Sequence, residues 1–172
     1  MKQFFLLVIF SCTVMLSTAQ KLFTSINDDQ QEGGLILNGL LTQKDLESES
    51  SFKWFNQNKI GYQPDSSIIT SINNIQKDYS FIVFGGTWCD DTQFILPRFF
   101  KLMDIIQIPE TFITLFGVDR NKKTIGNIAT AFAITNVPTI IVLKNGKEVG
   151  RVVEYGASGK WDEELVKLLS NN

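Results

Sequence analysis

Histidine is absent from this sequence, and cysteine occurs only twice, at Cys12 and Cys89. The first absence excludes an imidazole general base and every metal site that needs histidine. No basic block occurs, and 16 Lys and Arg against 18 Asp and Glu give a net charge of −2. The electrostatic footprint of a nucleic-acid binder is therefore missing. The longest apolar stretch, Phe4 to Leu16, is too short to span a bilayer comfortably, so no membrane span is expected. No internal repeat or low-complexity tract interrupts the chain. The sequence does contain 14 phenylalanines, 44% hydrophobic and 20% charged residues over 172 positions. That is enough apolar material for one domain with a substantial core, and the phenylalanine suits a packed sheet.

The first residues read as a targeting segment. Lys2 precedes the apolar run, and the small residues Ser17, Thr18 and Ala19 follow it. Cleavage after Ala19 would start the mature chain at Gln20, giving a signal peptide over 1–19 and an extracytoplasmic, periplasmic or secreted, location. The rival is a lipoprotein signal with a lipid anchor at Cys12. Phe10 is bulky for that motif and the apolar run continues past Cys12 to Leu16, so it ranks second. Either way Cys89 is the one thiol left, and a disulfide framework within the chain is excluded.

Residues 20–34 are polar and end in Gly33-Gly34, which predicts a flexible leader before a single domain over 35–172. "LILNGLL" predicts a short strand with a turn at Asn38-Gly39. Thr42 is positioned to cap a helix carrying Leu46, Phe52 and Phe55. After the break at Pro64, a second helix capped by Asp65 or Ser66 carries Ile68, Ile69, Ile72 and Ile75 on one face. "FIVFGG" from Phe81 is an unbroken apolar run bounded by glycine, as expected of a strand buried on both faces. A helix from about Asp90 to Ile106 follows, with Pro97 inside it. "TFITLFGVD" predicts another strand and "KKTIGNIATAFAI" a short helix. "NVPTIIVLKNGKEVGRVVE" reads as a hairpin turning at Asn145-Gly146. An amphipathic helix capped by Ser158 or Gly159 closes the chain. Alternating strands and helices, then a hairpin and a helix, predict a mixed sheet with helices on both faces.

The residues "FGGTWCDDT", "LPRF", "GVDRNKK" and "NVPTIIVLKNGKEVGR" together resemble the thioredoxin superfamily over roughly Ile68 to Leu169. Two weak signals make the match specific by their order: Trp-Cys at a strand-to-helix junction, then Val-Pro-Thr before an Asn-Gly hairpin. The resemblance implies an α/β, thioredoxin-like three-layer sandwich with a core over about 66–170, similar to exported bacterial proteins of this type. It implies no cofactor and no metal. It makes Cys89 the nucleophile, at a helix N-terminus whose unpaired N–H groups favour a thiolate. Trp88 would cover one side of the thiol, against the plain alternative of a rim aromatic. Pro138 matches the family's cis proline, presenting the Val137 backbone to an extended peptide. Pro97 matches a helix proline of structural use.

The sequence departs from the family pattern at three places. Thr92 stands where two-cysteine members carry the resolving thiol, so a mixed disulfide at Cys89 needs an outside thiol for release. Its hydroxyl is placed to hydrogen-bond the Cys89 thiolate. Asp90 and Asp91 either cap the helix or repel a thiolate, and spacing does not decide between them. Val83 occupies the place of the buried acid that shuttles a proton in the family. The resulting expectation is monothiol thiol–disulfide exchange with exported protein or peptide thiols and disulfides, assisted by an external reducing thiol or redox partner. The alternative is a non-catalytic peptide- or protein-binding module, and a third reading is a peroxide-reactive thiol cycling through a sulfenic acid.

Overall fold

The computed structural model describes residues 21–72 and 78–171. The expected signal peptide with Cys12, and Ile75 of the second helix, lie outside the described residues. The elements are β1 (Phe23–Asn27), β2 (Leu35–Leu41), α1 (Gln43–Glu47), α2 (Lys53–Ile60), α3 (Ser66–Ile72), β3 (Tyr79–Gly85), α4 (Asp90–Ile106), β4 (Ile113–Gly117), α5 (Ile128–Ala131), β5 (Thr139–Lys144), β6 (Lys147–Val153) and α6 (Trp161–Asn171). The six strands form one sheet in the order β1-β2-β4-β3-β5-β6. Only β3 and β4 pair in parallel, and the other four ladders are antiparallel.

Strand periodicity explains why β3 carries so unbroken an apolar run. Successive side chains alternate between faces, and both faces here are covered. Phe81 and Val83 enter the larger core with Leu115, Ile140 and Val142, against helices α1, α2, α4 and α6. Phe84 joins Phe116, Ile141, Val137 and Ala129 of α5 on the opposite face. Each fully buried Leu, Ile or Phe contributes roughly 1.5–3 kcal/mol by leaving water. Nine residues of α4 are buried, so the helix that begins at Cys89 is held along most of its length by the core.

Pro97 lies inside α4 and has no N–H to give the carbonyl of Gln93, four residues back. Asn58 of α2 supplies the missing donor: its Nδ2 reaches the Gln93 carbonyl at 3.0 Å. The same amide accepts from Arg98 Nη1 through Oδ1 at 2.9 Å, tying α2 to α4 on either side of the proline.

Several elements differ from the sequence expectations. Residues 20–34, read as a flexible leader, contain β1, which pairs with β2 from Phe23↔Gly39 to Asn27↔Leu35. A polar strand at a sheet edge buries little, so its composition resembles that of a loop. No turn forms at Asn38-Gly39, where β2 runs straight through. Gly39 is needed there because a Cβ would lie 2.5 Å from the Leu22 carbonyl oxygen of the adjoining chain. Thr42 does cap a helix, with a reciprocal capping box to Asp45, but that helix ends at Glu47 and Phe52 and Phe55 belong to the cap and body of α2. The segment from Lys122 forms a 3₁₀ turn before the four-residue α5, because Gly126 and Asn127 take positive φ. Helix α6 starts at Trp161, two residues beyond Gly159.

Candidate active site

Cys89 sits where β3 gives way to α4, as the N-cap residue in extended conformation. It is a free, half-buried thiol whose main-chain carbonyl opens the helix by accepting from Gln93 N–H at 2.9 Å. Its Sγ donates to the Val137 carbonyl at 3.2 Å. The Val137–Pro138 peptide bond is cis. Val137 is buried, and Thr139 Oγ1 braces the same turn by donating to the Asn136 carbonyl at 2.7 Å. The fold thus brings together Cys89, Trp88, Val137 and Pro138, which lie almost fifty positions apart in the chain.

Trp88 packs its indole against Gly86, where a Cβ would be 2.6 Å from the ring. Only glycine allows that approach. Its Nε1 donates to the Val118 carbonyl at 3.0 Å, so the indole edge is anchored to the end of β4. Arg120 and Lys122, in the loop after β4, place their cations 5.1 and 5.6 Å from the indole. Such cation–π contacts add specificity of placement as well as modest energy.

Thr92 is buried and does not bond Cys89. Its Oγ1 accepts from the Gly86 N–H at 3.2 Å instead, serving the backbone beneath Trp88. The expected hydroxyl-to-sulfur hydrogen bond is therefore replaced by a main-chain one, because the Gly86 amide is buried and needs an acceptor. Asp90 is exposed, whereas Asp91 is half-buried and faces Tyr155 beyond the end of β6. Burial, the Asp91 charge and an Asp91 hydrogen bond hold the Tyr155 phenol above its ordinary pKa, so it remains a neutral donor. Val83 is fully buried among apolar neighbours.

Sequence reasoning missed Asp28, Arg120 and Tyr155. Asp28 follows β1 with a side chain only 1% exposed, and Arg120 grips it with Nε–Oδ1 at 2.9 Å and Nη2–Oδ2 at 2.7 Å. The Arg120 hydrogen bonds hold the Asp28 carboxyl below its ordinary value despite burial. A depressed carboxylate contributes stability that is complete above its unfolded value, near 3.9, and is lost as pH falls through the folded value. Denaturant unfolding from about pH 6 down to about pH 3 should therefore show stability falling with acid. Asp28→Asn should lower stability at neutral pH and flatten that decline. An equally steep decline in the variant would assign the acid sensitivity elsewhere, for example to Glu148 with Arg151.

A half-buried free thiol at a helix N-terminus, bonded to the carbonyl that precedes a cis proline, on a mixed sheet with helices on both faces, defines a thiol protein of thioredoxin-like α/β fold. The chain belongs to the thioredoxin family: the family model named Thioredoxin matches residues 65–170. A thioredoxin of Staphylococcus saprophyticus is 31% identical over 97 residues, 56% of this chain and 88% of that protein. A thioredoxin of Mycobacterium tuberculosis is 32% identical over 98 residues, covering 56% of this chain and 76% of the relative. Among solved structures, Fasciola hepatica thioredoxin is 26% identical with a TM-score of 0.41, covering 60% of this chain and 92% of that one. The family assigns this chain to thiol–disulfide exchange chemistry in general. Among the described residues no cluster of potential ligands is arranged to hold a metal, and no helix is long and apolar enough to cross a membrane.

Proposed function

We propose that this chain is an exported, monothiol member of the family, exchanging disulfides through Cys89 and released by an external thiol. The observation that carries the reading is the pairing of Cys89 Sγ with the Val137 carbonyl, while the position three residues on holds a buried threonine. In this reaction the Cys89 thiolate attacks one sulfur of a substrate disulfide. The S–S bond breaks, the other sulfur departs as a thiolate with the bonding pair, and a mixed disulfide forms at Cys89. An external thiolate then attacks that mixed disulfide and frees Cys89. One disulfide is consumed and one is formed, so the chain carries out no net oxidation. Trp88, Val137 and Pro138 would bind the substrate, with Val137 offering its backbone to an extended peptide once the sulfur contact is released. Thr92 supports the loop under Trp88, Asp91 acts through Tyr155, and Asp90 contributes its charge at the exposed start of α4.

Two features support the monothiol reading together. Val83 leaves the core beneath the site without a proton acceptor, and Thr92 is bonded to main chain rather than to sulfur. Both substitutions remove parts needed only for internal resolution. Export is supported by the first 19 residues alone.

Intact mass spectrometry of protein recovered from the extracytoplasmic fraction tests both parts. The mature chain is expected to start at Gln20. Oxidised glutathione is expected to add once, at Cys89, and reduced glutathione to remove the adduct. A native Cys89 that forms no adduct, yet alkylates after denaturation, would favour the non-catalytic binding module.

A further inference from the structure

The loop after β1 presents a carboxylate with unusual care. Asp28 N–H donates to the Gly34 carbonyl at 2.9 Å, and Gly34 N–H donates to Gln31 at 2.9 Å, closing the loop on itself. Gln30 N–H donates to Asp28 Oδ1 at 3.1 Å. The buried carboxylate then receives both forks of Arg120. Burying the carboxylate of this pair costs desolvation, while the Arg120 side chain stays 27% exposed. The pair's geometry has a direct consequence. A two-point grip fixes the plane of the guanidinium, which a single contact would leave free to rotate.

Arg120 is directed at the thiol site. Its guanidinium lies 5.1 Å from the Trp88 ring, on an indole already pinned by Val118 and Gly86. It also interacts electrostatically with Cys89. Tyr155 after β6 and Arg120 after β4 interact electrostatically with that sulfur, Asp90 and Asp91 follow it in the first turn of α4, and Lys122 lies over the same indole as Arg120. Arg120 is thus a cation held against the indole of Trp88, the residue next to Cys89 in the chain.

We propose that Asp28 is a positioning residue of the thiol site: it fixes Arg120 so that the guanidinium steadies Trp88 and keeps a positive charge beside Cys89. The β1–β2 segment, which precedes the residues matched by the family model, is then part of the active site rather than an edge cover. This inference rests on the reading of Cys89 as a nucleophile and adds a residue that acts on it through another.

The test is alkylation of Cys89 by iodoacetamide across a pH series, in the mature chain, with thermal unfolding recorded for each variant. Arg120→Met is expected to slow alkylation at neutral pH by about fivefold, the scale of one unit charge about 4 Å away with the screening of bulk water. Its pH profile should move upward. Asp28→Asn should move rate and profile in the same direction by less, and the double variant should match Arg120→Met. Arg120→Lys should recover part of the rate, since it keeps the charge without the fork. Faster alkylation in Asp28→Asn would show that Asp28 merely neutralises Arg120 and would overturn the proposal. A lowered unfolding temperature with an unmoved profile would do the same. Should Asp28→Asn fail to fold, Arg120→Met against Arg120→Lys decides: equal, wild-type rates in both would end the idea. Alkylation reads the thiol whether or not it exchanges disulfides. A glutathione adduct that never forms, beside an alkylation profile that does respond, would remove the exchange reading and leave the positioning role standing.

Discussion

Replacing Cys89→Ser is expected to abolish disulfide exchange completely while leaving the fold as stable as before. The two halves of that expectation have separate causes. Exchange requires a sulfur that can take up a disulfide bond, and a serine hydroxyl has no such chemistry. Stability depends on what the side chain does in the structure, which is to donate to Val137 and occupy an N-cap without capping. Serine can donate to the same carbonyl and is among the preferred N-cap residues. The stability change should stay within about 0.5 kcal/mol, the range of substitutions that create no cavity or orphaned polar group. Adduct formation with oxidised glutathione should fall to the buffer background, with unfolding measured on the same samples. The informative contrast is partner capture. If Cys89→Ser retains the same partners as the native chain, at similar yield, binding does not pass through sulfur and the exchange mechanism is lost.

The legible parts of this molecule are those where burial writes itself into composition. The run from Phe81 to Gly85 spells a strand covered on both faces, and α4 announces itself by apolar spacing from Ile95 to Ile106. The junction between them, with Cys89, and the Val137-Pro138 turn were readable because an ordered pair of short motifs marks them. What was not readable depends on contacts between distant polar residues. Asp28 looks like one more acid in a polar tract, and nothing in its neighbourhood points to Arg120, 92 positions away. Strand β1 was hidden for the same reason: its burial pattern is one half-buried residue followed by four exposed ones, so no apolar alternation betrays it. Thr92 was misjudged more narrowly. Its spacing from Cys89 suggested a sulfur partner, whereas the buried Gly86 amide, which no sequence pattern reveals, takes the hydroxyl instead.

That last contact sets the terms for the second large effect. Thr92→Cys is expected to speed insulin reduction with dithiothreitol well beyond the native chain, whose release waits on the outside thiol. Position 92 lies one helical turn from the N-cap, so a thiol there approaches Cys89 without any external encounter. Resolution becomes intramolecular and no longer depends on the concentration of an outside thiol. The substitution also has a cost. Sulfur is a weak acceptor, and the buried Gly86 N–H loses its oxygen partner, a penalty of about 1–3 kcal/mol. A lower unfolding temperature with a gained activity is therefore the expected pair of results, read by thermal melts and insulin turbidity. Turnover should remain slow, because Val83 offers no buried acid to take the proton from the resolving thiol. Adding Val83→Asp to Thr92→Cys separates the two missing functions. If the double variant is folded and faster, the proton acceptor limits the restored reaction. Native turnover of insulin should rise with dithiothreitol concentration, because the outside thiol frees Cys89, and native turnover that survives Cys89→Ser would defeat the monothiol mechanism outright.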